Sequence, residues 1–318
     1  MSAILVIGAL GQIGSALVTQ LKSYYPDRKV LASDIRQCSG FDKDFVYLDA
    51  TDTVHLRGVI KHHKITEIYH LAAILSAAGE ANPLNTWELN MKLWLSVLEV
   101  SKECGIQKVF FPSSIAVFGS QAPKEQTPQN AYLNPSTIYG MSKAAGEHWG
   151  QYYYNRYGLD VRSLRYPGVI GYETLPGGGT TDYAVDIFRK AVAHQEFECF
   201  LKEDATLPMA YIDDVIMGTI KLMEAPKAQI TIRTSYNISG LSFSPKQLVA
   251  AIKKWYPDFV AHYKPDYRQE IADSWPDTID ASVAKKHWGW APEFDLKKLT
   301  ATMIKGLQNK KSQEKLSA

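Results

Sequence analysis

Short apolar runs alternate with amphipathic helical stretches through the first half of the chain, and this alternation restricts the fold more than any other feature. The predicted order is strand, helix, strand, strand, helix, strand, helix, strand, over residues 4–7, 13–25, 30–32, 46–48, 55–63, 68–71, 87–104 and 109–111. Strands that alternate with helices form parallel sheets covered by helices on both faces. We therefore predict a Rossmann-like, doubly wound α/β fold.

Composition and charge limit the class of protein. The 318 residues carry 35 basic and 33 acidic side chains, so no broad basic surface for nucleic acid or anionic membrane is expected. The three cysteines, Cys38, Cys104 and Cys199, form neither a disulfide framework nor a C-x-x-C motif. The longest apolar stretch, residues 3–10, is far shorter than the roughly 20 residues that span a bilayer. We expect a cytoplasmic protein that acts on a small molecule, without nucleic-acid or membrane partners and without metal.

The first predicted strand runs into a G-x-x-G-x-x-G turn, Gly8, Gly11 and Gly14, that opens a helix. Such glycines allow a pyrophosphate to approach the backbone, where the amides of the helix N-terminus meet its charge. Asp34 follows the second strand, 20 residues after Gly14, where a carboxylate accepts both adenosine ribose hydroxyls and repels a ribose phosphate. The pattern favours NAD over NADP, although Arg36 could accept that phosphate. A glycine turn without ligand and a surface aspartate are the alternatives.

Tyr139 and Lys143 form a Y-x-x-x-K pair at the start of a predicted helix over 139–157. Four-residue spacing puts both side chains on one helix face. An ammonium at about 4 Å favours the phenolate by on the order of 4 kcal/mol, or roughly 3 pKa units, at an effective dielectric near 20. We therefore predict that Lys143 lowers the pKa of Tyr139 far enough for it to act as a general base. An exposed amphipathic pair is the alternative.

Ser113 and Ser114 lie just beyond the apolar strand 109–111. Parallel sheets bind ligands at the carboxyl ends of their strands, so a hydroxyl there can hold the substrate oxygen as it becomes a carbonyl. The alternative is that a serine caps the following turn.

Together these motifs resemble the extended short-chain dehydrogenase/reductase family, over residues 1 to about 214. The resemblance implies that Ser114, four residues before Phe118 and 25 before Tyr139, is catalytic with Tyr139 and Lys143, and that Ser113 is its neighbour. It implies that Lys143 also holds the nicotinamide ribose and that Asn90 supports the proton path. The implied cofactor contacts are Gly8, Gly11, Gln12, Ile13, Gly14, Asp34, Asp49, Leu71, Ala72, Ala73, Asn90, Tyr139, Lys143 and Tyr166.

Members of this family act on nucleotide sugars or on compact hydroxy compounds. The former usually carry an arginine that grips phosphate shortly before a Y-x-x-V-D-D-like segment; here Leu207 stands in its place. Instead, residues 177–183 combine three glycines with Thr180 and Thr181 ahead of a predicted helix over 182–194, a plausible cradle for a carboxylate. An ordinary helix cap is the alternative.

Longer phrases resemble the short-chain L-threonine 3-dehydrogenases within that family; they lie at residues 74–80, 151–154, 160–168, 179–183 and 275–276. The resemblance implies oxidation of L-threonine at C3 by NAD, giving 2-amino-3-ketobutyrate. It also implies a homodimer paired through helices 87–104 and 139–157. The implied substrate contacts are Ser76, Ser113, Ser114, Tyr139, Gly179, Thr180, Thr181 and Trp275. The alternatives are that Ser76 only hydrogen bonds to a loop amide and that Trp275 packs in the core of the small lobe. A further hypothesis is that Trp275 acts as a lid that excludes water when substrate binds.

Two lobes are expected within the one chain. Residues 1–167 and 206–237 are assigned to the NAD-binding lobe, residues 168–205 and 238–308 to the substrate lobe, and 309–318 to a polar, frayed tail. The alternative functions are a nucleotide-sugar epimerase or dehydratase that recycles its NAD, and a dinucleotide-binding sensor without turnover.

Overall fold

The computed structural model describes residues 2–38, 44–175 and 177–317. Its strands are β1 Ala3–Ile7, β2 Lys29–Asp34, β3 Phe45–Tyr47, β4 Ile65–His70, β5 Lys108–Ser114, β6 Asp160–Tyr166, β7 Gly168–Ile170, β8 Phe197–Cys199, β9 Leu207–Tyr211, β10 Tyr236–Asn237, β11 Leu241–Phe243 and β12 Ala261–Tyr263. Its helices are α1 Gln12–Tyr24, α2 Thr53–His63, α3 Ser76–Gly79, α4 Pro83–Cys104, α5 Ile138–Tyr157, α6 Tyr183–Val192, α7 Ile212–Glu224, α8 Pro245–Lys253, α9 Arg268–Ser274, α10 Ser282–Trp288 and α11 Leu296–Ser317.

Seven strands form one parallel sheet in the order β10-β6-β5-β4-β1-β2-β3. Side chains of β1 alternate between two cores: Ile4 and Val6 face the core that includes α1 and α7, whereas Leu5 and Ile7 face the core that includes α2, α4 and α5. A parallel strand buried on both faces must be apolar throughout, as β1 is. The strand order reverses between β1 and β4, so a crevice opens there at the carboxyl ends of the strands.

The smaller lobe is built on two short sheets. In one, β9 pairs with β7 and β11, although residues 206–237 are assigned from sequence to the NAD-binding lobe; β10, from the same span, joins the main sheet. The core on the α1 side continues into this lobe without a break. The division into two lobes stays a prediction. Residues 309–317, expected to be a frayed tail, continue helix α11.

A buried ion pair fixes helix α5 against the sheet. Arg165 on β6 donates from Nε and Nη2 to the two carboxylate oxygens of Glu147, at 2.9 and 2.8 Å. The side chains are 4% and 0% exposed. Ser113 donates to the same carboxylate at 2.5 Å, and Arg165 also donates to Asn237 on β10. One carboxylate therefore joins α5, β5 and β6.

Among the described helices, none is long and apolar enough to cross a membrane.

Replacing Glu147 by Ala should destabilise the fold by about 3 to 5 kcal/mol, because Arg165 would stay buried without its counter-charge. The measurement is the free energy of unfolding in urea. Glu203→Ala is the control, since Glu203 pairs with Lys246 at the surface, with both side chains more than half exposed, and should cost less than about 1 kcal/mol. Equal losses in the two variants would contradict this account.

Candidate active site

Two adjoining cavities occupy the crevice between β1 and β4. The inner cavity runs from the glycine turn to Tyr139, Thr180 and Trp275, and the outer cavity runs from the same turn to Asp34. They share Gly8 and Gly11, so together they form one continuous cleft. Apart from Asn90, every site residue predicted from sequence lines one or both cavities: Gln12, Ile13, Gly14, Ser76, Ser113, Ser114, Lys143, Tyr166, Gly179 and Thr181 line the inner one, Asp49 and Ala72 the outer one, and Leu71 and Ala73 both.

The glycine turn leaves space that side chains would fill. Gly8 has a φ of +84°, and a Cβ there would stand 2.7 Å from the backbone nitrogen of Ala72. A Cβ on Gly14 would stand 2.2 Å from the carbonyl oxygen of Gly8. Helix α1 starts behind this turn with Gly11 as its N-cap and no side-chain cap, so its first amides are directed to the cleft as an anion site. The turn fits a pyrophosphate.

Asp34 ends β2 at the far side of the outer cavity. Its carboxylate accepts hydrogen bonds from the backbone of Leu10 at 3.1 Å and from the guanidinium of Arg36 at 3.0 Å. Burial alone would raise its pKa, but these hydrogen bonds outweigh burial and lower it, so Asp34 is ionised at neutral pH. Arg36 itself is 62% exposed. An ionised carboxylate in the outer cavity can accept hydrogen bonds from the adenosine ribose hydroxyls of NAD.

Tyr139, Lys143 and Ser114 meet in the inner cavity. Thr137 caps helix α5 by accepting from the amide of Gly140, which places Tyr139 in the first turn. The Nζ of Lys143 lies 5.4 Å from the centre of the Tyr139 ring and 4.7 Å from that of Phe111. Ser114 hydrogen bonds to the phenol of Tyr139, and its oxygen also accepts from the amide of Ala116, so it caps the following turn as well.

The charge states of this pair differ from the prediction. Burial raises the pKa of Tyr139 to about 12, and the hydrogen bond with Ser114 offsets only part of that rise. Burial also lowers the pKa of Lys143 to about 7. The expectation that the Lys143 ammonium lowers the pKa of Tyr139 is therefore wrong for the resting site, because burial removes both side chains from water and disfavours the charged form of each.

Three predicted residues have structural partners. The hydroxyl of Ser113 donates to Glu147, so it belongs to the buried ion-pair network, although the residue also lines the inner cavity. The amide of Asn90 bonds to both backbone groups of Ile74, at 2.8 and 3.1 Å, and so holds the cleft wall from behind. The hydroxyl of Tyr166 pairs with Thr219 at 2.6 Å.

The loop before α6 forms the wall opposite Tyr139. The hydroxyls of Ser76 and Thr180 lie 3.4 Å apart, and Thr180 is almost fully buried. The amides of Gly178 and Gly179 donate to the carboxylate of Asp182, each at 2.8 Å, so they are already used by the loop itself and Gly179 does not offer its amide to an anion. Asp182 is the N-cap residue of α6, but its carboxylate binds these preceding amides and makes no cap hydrogen bond to the helix, so the ordinary helix cap does not describe this loop either.

Trp275 lines the inner cavity beside that loop. It is 4% exposed, and its indole nitrogen has no hydrogen-bond partner among the described residues. Lys143 is the one Lys or Arg side chain among the described residues that line the inner cavity. The cavity offers several hydroxyls and apolar walls, which suits a small polar substrate better than a diphosphate.

Sequence reasoning missed Glu147, and it considered Asp182 only as part of an ordinary helix cap. Glu147 follows Lys143 by four residues and so shares its buried helix face, and Arg165 is a charged residue inside an otherwise buried strand. A buried charge requires a partner, so this pairing had a signal in the sequence. Asp182 anchors the glycine loop because the chain turns back on itself there. The spacing of residues in the sequence does not predict that turn.

The sequence pattern of one known family matches residues 4–239, and its description is NAD dependent epimerase/dehydratase family. The chain belongs to this family. The predicted fold and family are thereby confirmed, and NAD is its cofactor.

Relatives with named activities match nearly the whole chain. It is 45% identical to the mitochondrial L-threonine 3-dehydrogenase of Bos taurus over 308 residues, 95% of this chain and 81% of the relative. The holo structure of the GalE-like L-threonine dehydrogenase from Cupriavidus necator has a TM-score of 0.94 at 50% identity, covering 96% of this chain and 99% of that one. A monomeric L-threonine 3-dehydrogenase from a metagenome, in its apo form, has a TM-score of 0.93 at 45% identity, covering 96% and 99%.

Replacing Lys143 by Met should stabilise the protein, and more so at low pH. The pKa of Lys143 falls from 10.5 to about 7 on folding, so the cost of burying its charge is fully present below pH 7 and disappears as pH rises toward 10.5. We expect a gain on the order of 3 to 5 kcal/mol at pH 6 and little at pH 10, measured by urea unfolding.

Lys253→Met, at an exposed position of α8, is the matched control and should show no such dependence on pH. A gain for Lys143→Met that is the same at pH 6 and pH 10 would show that Lys143 is not buried as a neutral amine.

Proposed function

We propose that the chain oxidises L-threonine at C3 with NAD, giving 2-amino-3-ketobutyrate and NADH. The observation that carries this proposal is the inner cavity, where Tyr139 and Ser114 face the hydroxyl-bearing wall of Ser76 and Thr180, with no arginine among its described lining residues. A compact amino acid fits such a cavity, whereas a nucleotide-sugar diphosphate requires cationic side chains that grip phosphate. The likeness to L-threonine dehydrogenases supports the same substrate.

The residues of the cavity divide the chemistry between binding and proton transfer. Thr180 and Thr181 are proposed to hold the carboxylate of threonine by their hydroxyls, because the neighbouring glycine amides are bound to Asp182. The substrate hydroxyl would lie between Ser114 and Tyr139. When bound, NAD supplies the acceptor for the hydride that leaves C3.

Tyr139 receives the hydroxyl proton, and this requires its phenolate. With its pKa lowered to about 7, Lys143 is still protonated in part at neutral pH, and its ammonium, 5.4 Å from the centre of the Tyr139 ring, would favour that phenolate. Ser114 donates to the same phenol oxygen and lowers its pKa, so it stabilises the phenolate. Trp275 lines the same cavity and is proposed to exclude water when substrate binds, since water would weaken these interactions.

The test is NADH formation, followed at 340 nm, from the purified chain with NAD and L-threonine. Steady production is expected, with loss of at least about 100-fold in Tyr139→Phe, because general-base catalysis contributes 10²- to 10⁴-fold. Binding of NAD should persist in that variant. L-serine, L-allo-threonine and NADP run in parallel as substrate and cofactor controls.

No NADH from threonine, together with turnover of a nucleotide sugar without net NADH, would replace the proposal by an epimerase or dehydratase. Binding of NAD without turnover of either substrate would instead indicate a sensor.

We further propose that the chain forms a homodimer through α4 and α5. Both helices expose large apolar side chains: Trp87 and Trp149 are 38% exposed, Met141 is 45% and Tyr152 is 48%. Light scattering should give the mass of a dimer, and the double variant Trp149→Glu/Tyr152→Glu should give a monomer because it places charges in the apolar contact. A monomeric mass for the unmodified chain at all concentrations would refute the dimer; one solved relative is itself described as monomeric.

A further inference from the structure

Trp275 belongs to a segment that contributes to the cleft but comes from a distant part of the chain. It follows helix α9 directly, and its indole lines the inner cavity together with Ser76 and Thr180. Helix α9 has only seven residues, so its own hydrogen bonds hold the tryptophan weakly. The position of this wall therefore depends on what anchors residues 273–280 to the rest of the molecule.

The main anchor is Lys124, in the loop between β5 and α5. Its Nζ donates to the carbonyl oxygens of Asp273 and Trp275, at 2.5 and 2.6 Å. Its own carbonyl oxygen accepts from the amides of Asp277 and Thr278, at 2.8 and 3.1 Å. The residue thus bonds to the segment on both sides of Trp275, and an ammonium donating to a carbonyl makes a charge-assisted hydrogen bond.

Further contacts extend the same anchoring. Thr127 donates its amide to the carbonyl of Thr278 at 3.0 Å and accepts from the amide of Asp280 at 3.1 Å. On the other side, the hydroxyls of Ser136 and Ser274 lie 2.7 Å apart. Ser136 immediately precedes the cap of helix α5, which carries Tyr139 and Lys143. The segment is therefore tied to the element that holds the proposed base.

We propose that Lys124 is a positioning residue for substrate binding. By fixing the backbone on both sides of Trp275, it sets the distance between the indole and the wall of Ser76 and Thr180, and so determines how tightly a compact substrate is held. Its side chain is 44% exposed, binds two backbone oxygens and pairs with the Asp277 carboxylate at 3.8 Å, and it does not line the inner cavity, so it does not take part in proton transfer. The kinetic consequence of this proposal rests on the proposed function; the anchoring itself does not.

The chain offers a matched control in Lys202. It lines the same surface pocket as Lys124, a pocket separate from the cleft. Within the described part of the chain its Nζ contacts only the Asp273 carboxylate, at 3.7 Å, with 57% and 55% of the two side chains exposed. Such surface pairs contribute little. Lys124→Met and Lys202→Met each remove one positive charge from one pocket, but only the first removes bonds to the Trp275 backbone.

The first measurement needs no activity: hydrogen exchange of the amides of residues 272–280 by mass spectrometry, in the NAD-loaded chain. Exchange there should rise at least about tenfold in Lys124→Met, because each lost charge-assisted hydrogen bond stabilised the closed segment. It should stay unchanged in Lys202→Met, and Lys124→Arg should restore much of the protection. Unchanged exchange in Lys124→Met, or equal increases in both methionine variants, would overturn the anchoring.

The second measurement is steady-state kinetics with L-threonine and NAD. Lys124→Met should raise the KM for threonine about five- to tenfold, with kcat within about twofold and the KM for NAD unchanged. A fall in kcat at unchanged KM for threonine would overturn the positioning role. Ser136→Ala removes the second anchor and should shift KM in the same direction, which keeps the proposal testable if Lys124→Met does not fold. If the unmodified chain does not oxidise threonine, the proposed function fails while hydrogen exchange still decides the anchoring.

Discussion

The buried carboxylate of Glu147 determines where the reactive side chains lie. It accepts two hydrogen bonds from Arg165 on β6 and one from Ser113 on β5, so helix α5 is fixed in both rotation and height above the sheet. Tyr139 and Lys143 precede Glu147 on the same helix at spacings of eight and four residues, which places all three on one face. Ser114 follows Ser113 directly. A single desolvated ion pair thus brings the hydroxyl of one element and the phenol of another to the same point in the cleft.

Burial away from water explains the charge states of Tyr139 and Lys143. With a pKa of about 12 for Tyr139 and about 7 for Lys143, the resting site between these pH values holds a neutral phenol and a neutral amine. The state with phenolate and ammonium contains the same number of protons, so one form converts into the other without exchange with solvent. Because the phenol has the higher pKa, the neutral pair is the more stable of the two forms, and the form with phenolate and ammonium is the minor one in the resting site. This differs from the view in which a permanent ammonium lowers the tyrosine pKa.

Sequence patterns predicted the fold and the cleft because those depend on local rules. The glycine turn, the β-α alternation and Asp34 each follow from backbone geometry at short range, and the strand ends then bring Ser114 to the crevice. The pKa of Tyr139 could not be predicted this way, because it depends on burial by elements far away in the chain. For the same reason the sequence offered Ser113 and Gly179 as substrate contacts, although Glu147 and Asp182 already bind them. Lys124 carried no sequence signal, since its partners are backbone carbonyls about 150 residues away.

The placement of charge along the cleft separates cofactor recognition from substrate recognition. In the outer cavity, the ionised carboxylate of Asp34 can accept hydrogen bonds from ribose hydroxyls. The exposed Arg36 beside it donates to the same carboxylate. In the inner cavity, burial disfavours the charge of Lys143, and the carboxylate of Asp182 already accepts hydrogen bonds from two glycine amides. Hydroxyls alone then meet the substrate carboxylate in the proposed complex. An added arginine would bind that carboxylate more strongly, but its positive charge would repel the oxidised nicotinamide of bound NAD. Hydroxyl recognition avoids that repulsion, and its weakness is what makes the exact position of the Trp275 wall matter for binding.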